Sequence, residues 1–242
     1  MRKSRRAEDP PLLEKRFAGA AALPLATAFL FLLGLAPPAY AAKKSSDPAD
    51  SEEPLGAIVA PASLPQGGSA IYAYGGVPDV AVGYRQGVSV VELEARAKLN
   101  YFLLSFAFEV LLKSTVASDN SSALAPYLGV GVVYDSGSHY ITSVNFQYTA
   151  IRALAGLIYT YRLADLATVI VELDAPLDLT LNPAHGARFT PLVGGGVEVN
   201  LSPTVSGLLM GQLGVDYLKE PLGAPQWSLG YQVRAGFGFR LF

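Results

Sequence analysis

The sequence predicts an all-β chain: an antiparallel, up-and-down transmembrane β-barrel that follows a cleaved signal peptide. Three observations carry that prediction. The chain is 51% hydrophobic, yet its apolar residues past position 42 never gather into a long uninterrupted run. Those residues alternate with polar ones at a period of two. The N-terminus carries a basic, then apolar, then small-x-small pattern typical of export.

Charged residues make up 16% of the 242-residue chain, against roughly 25% in ordinary globular domains. A membrane helix needs about 20 apolar residues in a row, and charge, glycine or proline breaks every candidate after residue 42. An apolar surplus without helical spans leaves a soluble β-sandwich or a membrane β-barrel. The net charge of -2 provides no basic footprint for nucleic acid, which is excluded as a partner. The absence of cysteine excludes disulfides, thiolate metal sites and an acylated lipoprotein cysteine.

Residues 1–41 read as the signal peptide. Arg2, Lys3, Arg5, Arg6, Lys15 and Arg16 form a basic start, and Ala18 to Ala36 is apolar around Leu30-Phe31-Leu32-Leu33. Ala39 and Ala41 form the small-x-small site, so cleavage is expected after Ala41. A retained anchor is the alternative, and Pro24, Pro37 and Pro38 argue against a sturdy helix there. Residues 42–68 mix Lys43, Lys44, Asp47, Asp50, Glu52 and Glu53 with proline and serine. With no apolar periodicity to drive folding, they are expected to form a flexible periplasmic segment.

Residues 69–242 are the expected barrel domain. Its clearest strand runs from Val90 to Leu99: Val91, Leu93, Ala95, Ala97 and Leu99 alternate with Glu92, Glu94, Arg96 and Lys98. Successive strand side chains point to opposite faces, so one face is apolar and the other charged. In 104–113, Phe106, Phe108, Val110 and Leu112 oppose Glu109 and Lys113. In 151–162, Ile151, Leu157, Tyr159 and Tyr161 oppose Arg152, Gly156 and Arg162. Val169, Val171 and Leu173 oppose Glu172 and Asp174. Val197 and Val199 oppose Glu198, and the last strand sets Trp227, Tyr231, Val233 and Phe237 against Arg234, Gly236 and Arg240.

The expected strands are 79–86, 89–99, 102–113, 124–134, 148–162, 166–176, 188–201, 204–217 and 227–242, with a further run at 71–74. Even strand numbers then give eight, by merging short early segments, or ten. Eight is preferred for a body of this length. Several runs approach ten residues, the length of a tilted strand crossing a bilayer. Tyr84, Tyr101, Tyr134, Tyr148, Tyr159, Tyr161, Tyr217 and Trp227 sit near run ends, as interfacial girdles do. Short connections near 163–165 and 202–203 read as periplasmic turns. Segments 135–147, 177–187 and 218–226 read as outer loops. The polar stretch 114–123 falls on the short-turn side, where such length is unexpected.

The last run, Gly236-Phe237-Gly238-Phe239-Arg240-Leu241-Phe242, resembles the terminal strand of bacterial outer-membrane β-barrels. Tyr231, Phe237, Phe239 and Phe242 match its aromatic pattern. Phe242 departs from the phase of Phe237 and Phe239, and Arg240 stands two before the end, where an apolar residue is usual. The layout of residues 69–242 resembles small barrels of the OmpA/OmpX type. That resemblance implies export across the inner membrane and residence in the outer membrane among lipids that include lipopolysaccharide. It also implies passage through periplasmic chaperones and recognition by the barrel-assembly machinery.

The candidate site residues are the lumen charges Glu92, Glu94, Arg96, Lys98, Glu109, Arg152, Glu172, Asp174, Glu198, Arg234 and Arg240, with Arg85, Arg162 and Asp216 on the same polar faces. Their signs nearly balance, and buried charges must be paired or wetted. The expected function is therefore a non-enzymatic barrel, its lumen closed by paired charges, with a structural or surface-interaction role. A narrow polar channel is the second reading. The third is a lipid-modifying or proteolytic barrel using His139 with Asp135, Ser136 or Ser138. His139 and His185 are the only histidines, and no nucleophile elbow, zinc-protease or phosphate-loop motif is present. No cofactor or metal is expected.

Overall fold

The computed structural model describes residues 64–138, 147–164 and 166–241. Ala39, Ala41, His139 and Phe242 lie outside them, as do the signal peptide and most of the 42–68 segment. Twelve strands follow in chain order: β1 Ser69–Val77, β2 Asp79–Val88, β3 Val91–Asn100, β4 Ser105–Ser114, β5 Ala117–Ser118, β6 Ser122–Ser136, β7 Gln147–Ala164, β8 Ala167–Asn182, β9 Ala184–Phe189, β10 Leu192–Ser202, β11 Val205–Lys219 and β12 Gln226–Arg240.

Ten of these strands close an antiparallel barrel, in the order β1-β2-β3-β4-β6-β7-β8-β10-β11-β12. The ring shuts where β12 pairs with β1, from Ala70↔Arg240 to Val77↔Val233. Neither a sandwich nor the preferred eight-strand count survives this pairing. The run 71–74 extends through Gly75 and Gly76 into a full strand, because β12 supplies a partner at each position. The hairpin at Pro78 then leads directly into β2.

The two extra strands have simple origins. In β5, Ala117 and Ser118 pair with Leu124 and Ala123, so the long polar stretch on the short-turn side is an extended hairpin of β6. Its turn is held by Asp119, whose Oδ1 accepts the backbone N–H groups of Ser121 and Ser122 at 2.8 and 2.7 Å. These bonds hold the Asp119 carboxyl below its usual range. They therefore tighten the turn above the ordinary carboxylate pKa and release it as pH falls through the lowered value. Strand β9 is the upper part of β10. Both pair with β8 and with β11, and the register against β8 carries across from Leu177↔Phe189 to Leu192↔Asp174, with a shift only near the hairpin between Leu179 and Leu181. Pro191, which has no N–H to give to a ladder, separates them. The segment 177–187, expected as a loop, is thus a hairpin turning at Asn182-Pro183.

Side chains sort by face as the alternation requires, with the apolar face outward. Along β3, Glu92, Glu94 and Arg96 are buried while Leu93 and Leu99 are more than 40% exposed. Phe106, Phe108, Val110 and Leu112 face outward from β4. Of the expected aromatic girdle, Tyr84, Tyr159 and Tyr161 are exposed toward the end where β1 begins and β12 ends. Tyr134 and Trp227 are exposed toward the other. Tyr148 departs from that pattern: it is buried, packed inside with Ala107, Val133 and Ala150, because it falls on the inward phase of β7. Tyr101 is half-buried and donates to Gly76 O at 2.8 Å.

The wide ring needs bulky filling, and glycine makes room for it. Tyr72 faces Gly83 across the β1–β2 ladder, and Tyr127 faces Gly156 across β6–β7. A Cβ at Gly83 would lie 2.3 Å from Tyr72 Cζ, and one at Gly156 would lie 2.1 Å from Tyr127 Cζ. Each ring therefore covers a backbone that only glycine leaves free, an aromatic-over-glycine pairing that pins register. Gly156→Ala is expected to destabilise the barrel by about 1–3 kcal/mol through overpacking. Gly75→Ala, whose added carbon meets only Val80 Cγ1 at 3.8 Å, should stay within about 0.5 kcal/mol. Urea unfolding midpoints of the two variants check this contrast.

Candidate functional site

The lumen is crossed by a continuous chain of ion pairs that begins at the end where β1 starts. Arg85 on β2 donates twice to Glu92 on β3, Nε to Oε1 at 2.6 Å and Nη2 to Oε2 at 2.8 Å. Lys113 on β4 bridges Glu92 at 3.5 Å and also contacts Glu94. Glu94 lies 3.8 Å from Arg96 Nη1, and Arg96 bonds Glu109. Glu109 accepts Arg152 Nη1 at 2.7 Å, and Arg152 grips Asp178 at 2.6 and 2.8 Å. The charges alternate from Arg85 to Asp178 and sum to zero. Alternation is what lets them be buried, since each charge has an opposite neighbour in a low-dielectric interior.

The remaining candidates are also inward. Arg234 bonds Glu172 and lies over the Tyr74 ring, 5.4 Å from its centroid. Gln212 and Tyr127 donate to Glu172 at 3.3 and 3.4 Å. Glu198 accepts the Ser206 hydroxyl. Lys98 faces Asp79 at 4.0 Å. Arg240 is half-buried, its backbone N–H bonded to Thr204 O at 2.8 Å. Asp174 is buried, with Oδ1 lacking any hydrogen-bond partner.

Sequence reasoning missed Asp178 and Arg188. Arg188 on β9 forms a bidentate pair with Asp216, both bonds 2.8 Å, and Thr190 adds a third bond to Asp216 at 2.8 Å. The signal for Asp178 was present: Leu177, Leu179 and Leu181 alternate with Asp178 and Thr180. Pro176 masked it by suggesting a strand end. The buried apolar cluster of Leu111, Ile158, Ile170, Leu208 and Met210 with Tyr72, Tyr74 and Tyr127 was also unforeseen. It shares the lumen with the charges.

Three levels of the lumen differ. At mid-height the remaining cavity is about 20 Å³, bounded by Tyr72, Glu94, Lys113, Tyr127, Glu172 and Arg234, which is room for about one water. At the end where β1 starts, Leu64–Gly68 turns into the mouth. The Leu64 N–H donates to Glu92 Oε2 at 2.8 Å, and Gly67 N and Gly68 O bond Gly87 O and Gly87 N at 3.0 and 2.9 Å. This part of the segment expected to be flexible is packed on the barrel. At the opposite end a vestibule of about 310 Å³ lies above Lys98, Arg152 and Asp174. Among the described residues, no three histidine or acidic side chains are grouped to hold a metal.

No protein-family model and no curated protein matches the chain. Among solved structures, it is similar to a chain described as "De novo design of transmembrane beta-barrels", at 14% identity over 74% of this chain and all of that one, with a TM-score of 0.29. At that score the likeness is weak, and the barrel assignment rests on the strand pairing itself.

Glu109 is the junction of the ion chain, shared by Arg96 and Arg152. Glu109→Gln is expected to cost about 3–5 kcal/mol by leaving buried guanidinium charge uncompensated. The double variant Glu109→Gln, Arg96→Gln should recover part of that loss. A double-mutant cycle on urea unfolding in micelles measures both.

Proposed function

We propose that the chain is an integral outer-membrane β-barrel with a closed lumen and a structural or surface-interaction role. The observation that carries this reading is the inverted distribution of side chains. Large apolar residues are exposed on every strand of the ring, while Glu92, Glu109, Asp178 and Arg85 are almost wholly buried. Soluble proteins rarely expose contiguous apolar patches beyond a few hundred Å². A band encircling the molecule fits a hydrocarbon surround, with aromatic residues at its two margins. The basic and apolar N-terminus with Ala39 and Ala41 supports export, and Tyr231, Phe237 and Phe239, all outward, support recognition by an assembly machinery. The end opposite the start of β1 would then face outward, against lipopolysaccharide.

Closure is supported by the neutral ion chain and the roughly 20 Å³ mid-height cavity. A channel would need a continuous water path through that level. The enzymatic reading centres on His139, and His139→Ala in lipid and peptide hydrolysis assays addresses it.

Two measurements test the proposal. On a gel in SDS, the folded chain should migrate differently before and after boiling, and planar bilayers should show no discrete conductance steps. Regular steps would replace the closed barrel with the channel. Val130 lies mid-strand, outward and 64% exposed. Val130→Arg should cost about 2–4 kcal/mol for a strand facing lipid at the bilayer midplane. A near-zero cost in vesicles would place that face in water and defeat the membrane reading.

A further inference from the structure

We propose that the vestibule at the end opposite the start of β1 binds a small zwitterion: an amino acid with a free ammonium group, a free carboxylate and a compact apolar side chain. The space is about 310 Å³, at the lower bound of ligand pockets. Its openness follows from the strand register. At the level of Lys98, the inward residues of the adjoining strands are Ala81, Ala107, Val133 and Ala150, aligned one after another from β2 to β7. These side chains are too short to reach across the bore, so the arc beside Lys98 is left unfilled. One level higher, Asp79, Asn100 and Ser105 line the same arc on β2, β3 and β4.

Three neighbouring polar groups on this arc have no hydrogen-bond partner among the described residues. Lys98 Nζ is 4.0 Å from Asp79 Oδ2, its nearest acid, too far for a hydrogen bond. Asn100 accepts the backbone N–H groups of Phe102 and Leu103 through Oδ1 at 3.1 and 2.9 Å, which fixes its amide and leaves the Nδ2 donors unused. Asp79 accepts Gln232 through Oδ2 at 3.0 Å and keeps Oδ1 free. Lys98 and Asp79 are each 14% exposed, and none of the three free atoms is among the lumen's sealed polar atoms. They open into the vestibule. Lys98 and Asn100 share the inward face of β3, and Asp79 pairs directly with Asn100. A ligand carboxylate can accept from Lys98 and Asn100 while its ammonium group donates to Asp79.

The other charges around the vestibule are already engaged. Arg188 is held by Asp216, and Arg152 by Asp178 and Glu109. Asp174 belongs to the mid-height network of Tyr127, Arg96 and Arg234. What remains is one loosely held cation beside one anion. A singly charged ligand would satisfy one of them and be repelled by the other, whereas a zwitterion meets both and brings no net charge into the bore.

The side of the membrane from which such a ligand enters rests on the reading above; binding itself does not, and is read in micelles. The full mature chain would be titrated by calorimetry with leucine, and with isocaproate and isoamylammonium, which each lack one of its two charges. Saturable leucine binding, at least tenfold tighter than either counterpart, is expected. Lys98→Met and Asp79→Asn should each weaken it at least tenfold, so a folding defect in one variant leaves the other to decide. Boiled and unboiled gel samples confirm that each variant is folded. Absence of saturable binding at millimolar leucine, equal or tighter binding of isocaproate or isoamylammonium, or wild-type affinity in a folded Lys98→Met or Asp79→Asn protein would overturn the proposal. None of these results bears on the gel shift or on Val130→Arg, so failure here and failure of the membrane reading are distinguishable.

Discussion

Everything in this molecule depends on the pairing of the last strand with the first. A sheet left open exposes a row of unpaired N–H and C=O groups along each edge. The β12–β1 ladder removes both edges at once. Closure also divides the side chains into two populations that cannot exchange, since a shift of one residue would turn every inward group outward. Once the ring is shut, the charges of β3 have only the bore to occupy. Their chemistry must then be resolved among themselves.

That resolution sets the composition of the interior. Ten strands enclose a space too wide for small side chains, and the sequence meets it with arginine, glutamate and tyrosine. Long polar residues reach partners across the ladder. The tyrosines lie flat where glycine opposes them, as at Tyr72 over Gly83. Stacking of Tyr72 and Tyr74, their ring centroids 6.2 Å apart and their planes nearly parallel, adds an apolar layer to a mostly ionic filling. The charges and the aromatics are one packed core turned inside out, with its apolar complement on the outer wall.

The legible parts of this fold were those where periodicity ran uninterrupted. Strand β3 alternates without a lapse, and its charged face could be assigned to the lumen residue by residue. The same held for β4 and β12. Legibility failed where proline or glycine resembled punctuation. Gly75, Gly76 and Pro78 obscured β1, so the ring appeared to want eight strands. Pro176 and Pro191 concealed the continuation of β8 and the broken course of β9 and β10, and with them Asp178 and Arg188. Proximity across the bore was not legible at all. The bond between Arg234 and Glu172 joins residues 62 positions apart, and no local pattern records it.

The contacts inside the bore have a mechanical meaning when traced as chords. Tyr72 to Glu94 joins β1 and β3, and Gln232 to Asp79 joins β12 and β2. Arg152 to Glu109 spans β7 and β4, Tyr127 to Glu172 spans β6 and β8, and Gln212 to Glu172 spans β11 and β8. Each of these skips one strand, and Arg234 to Glu172 skips two. A hoop fastened only along its rim can be squeezed into an ellipse, because bending spreads over every joint. A hoop with inscribed crosspieces resists ovalisation, since flattening it must stretch some chords and crush others. The bore is therefore braced as a wheel is by its spokes, and its roundness under lateral pressure is a property of the filling as much as of the wall.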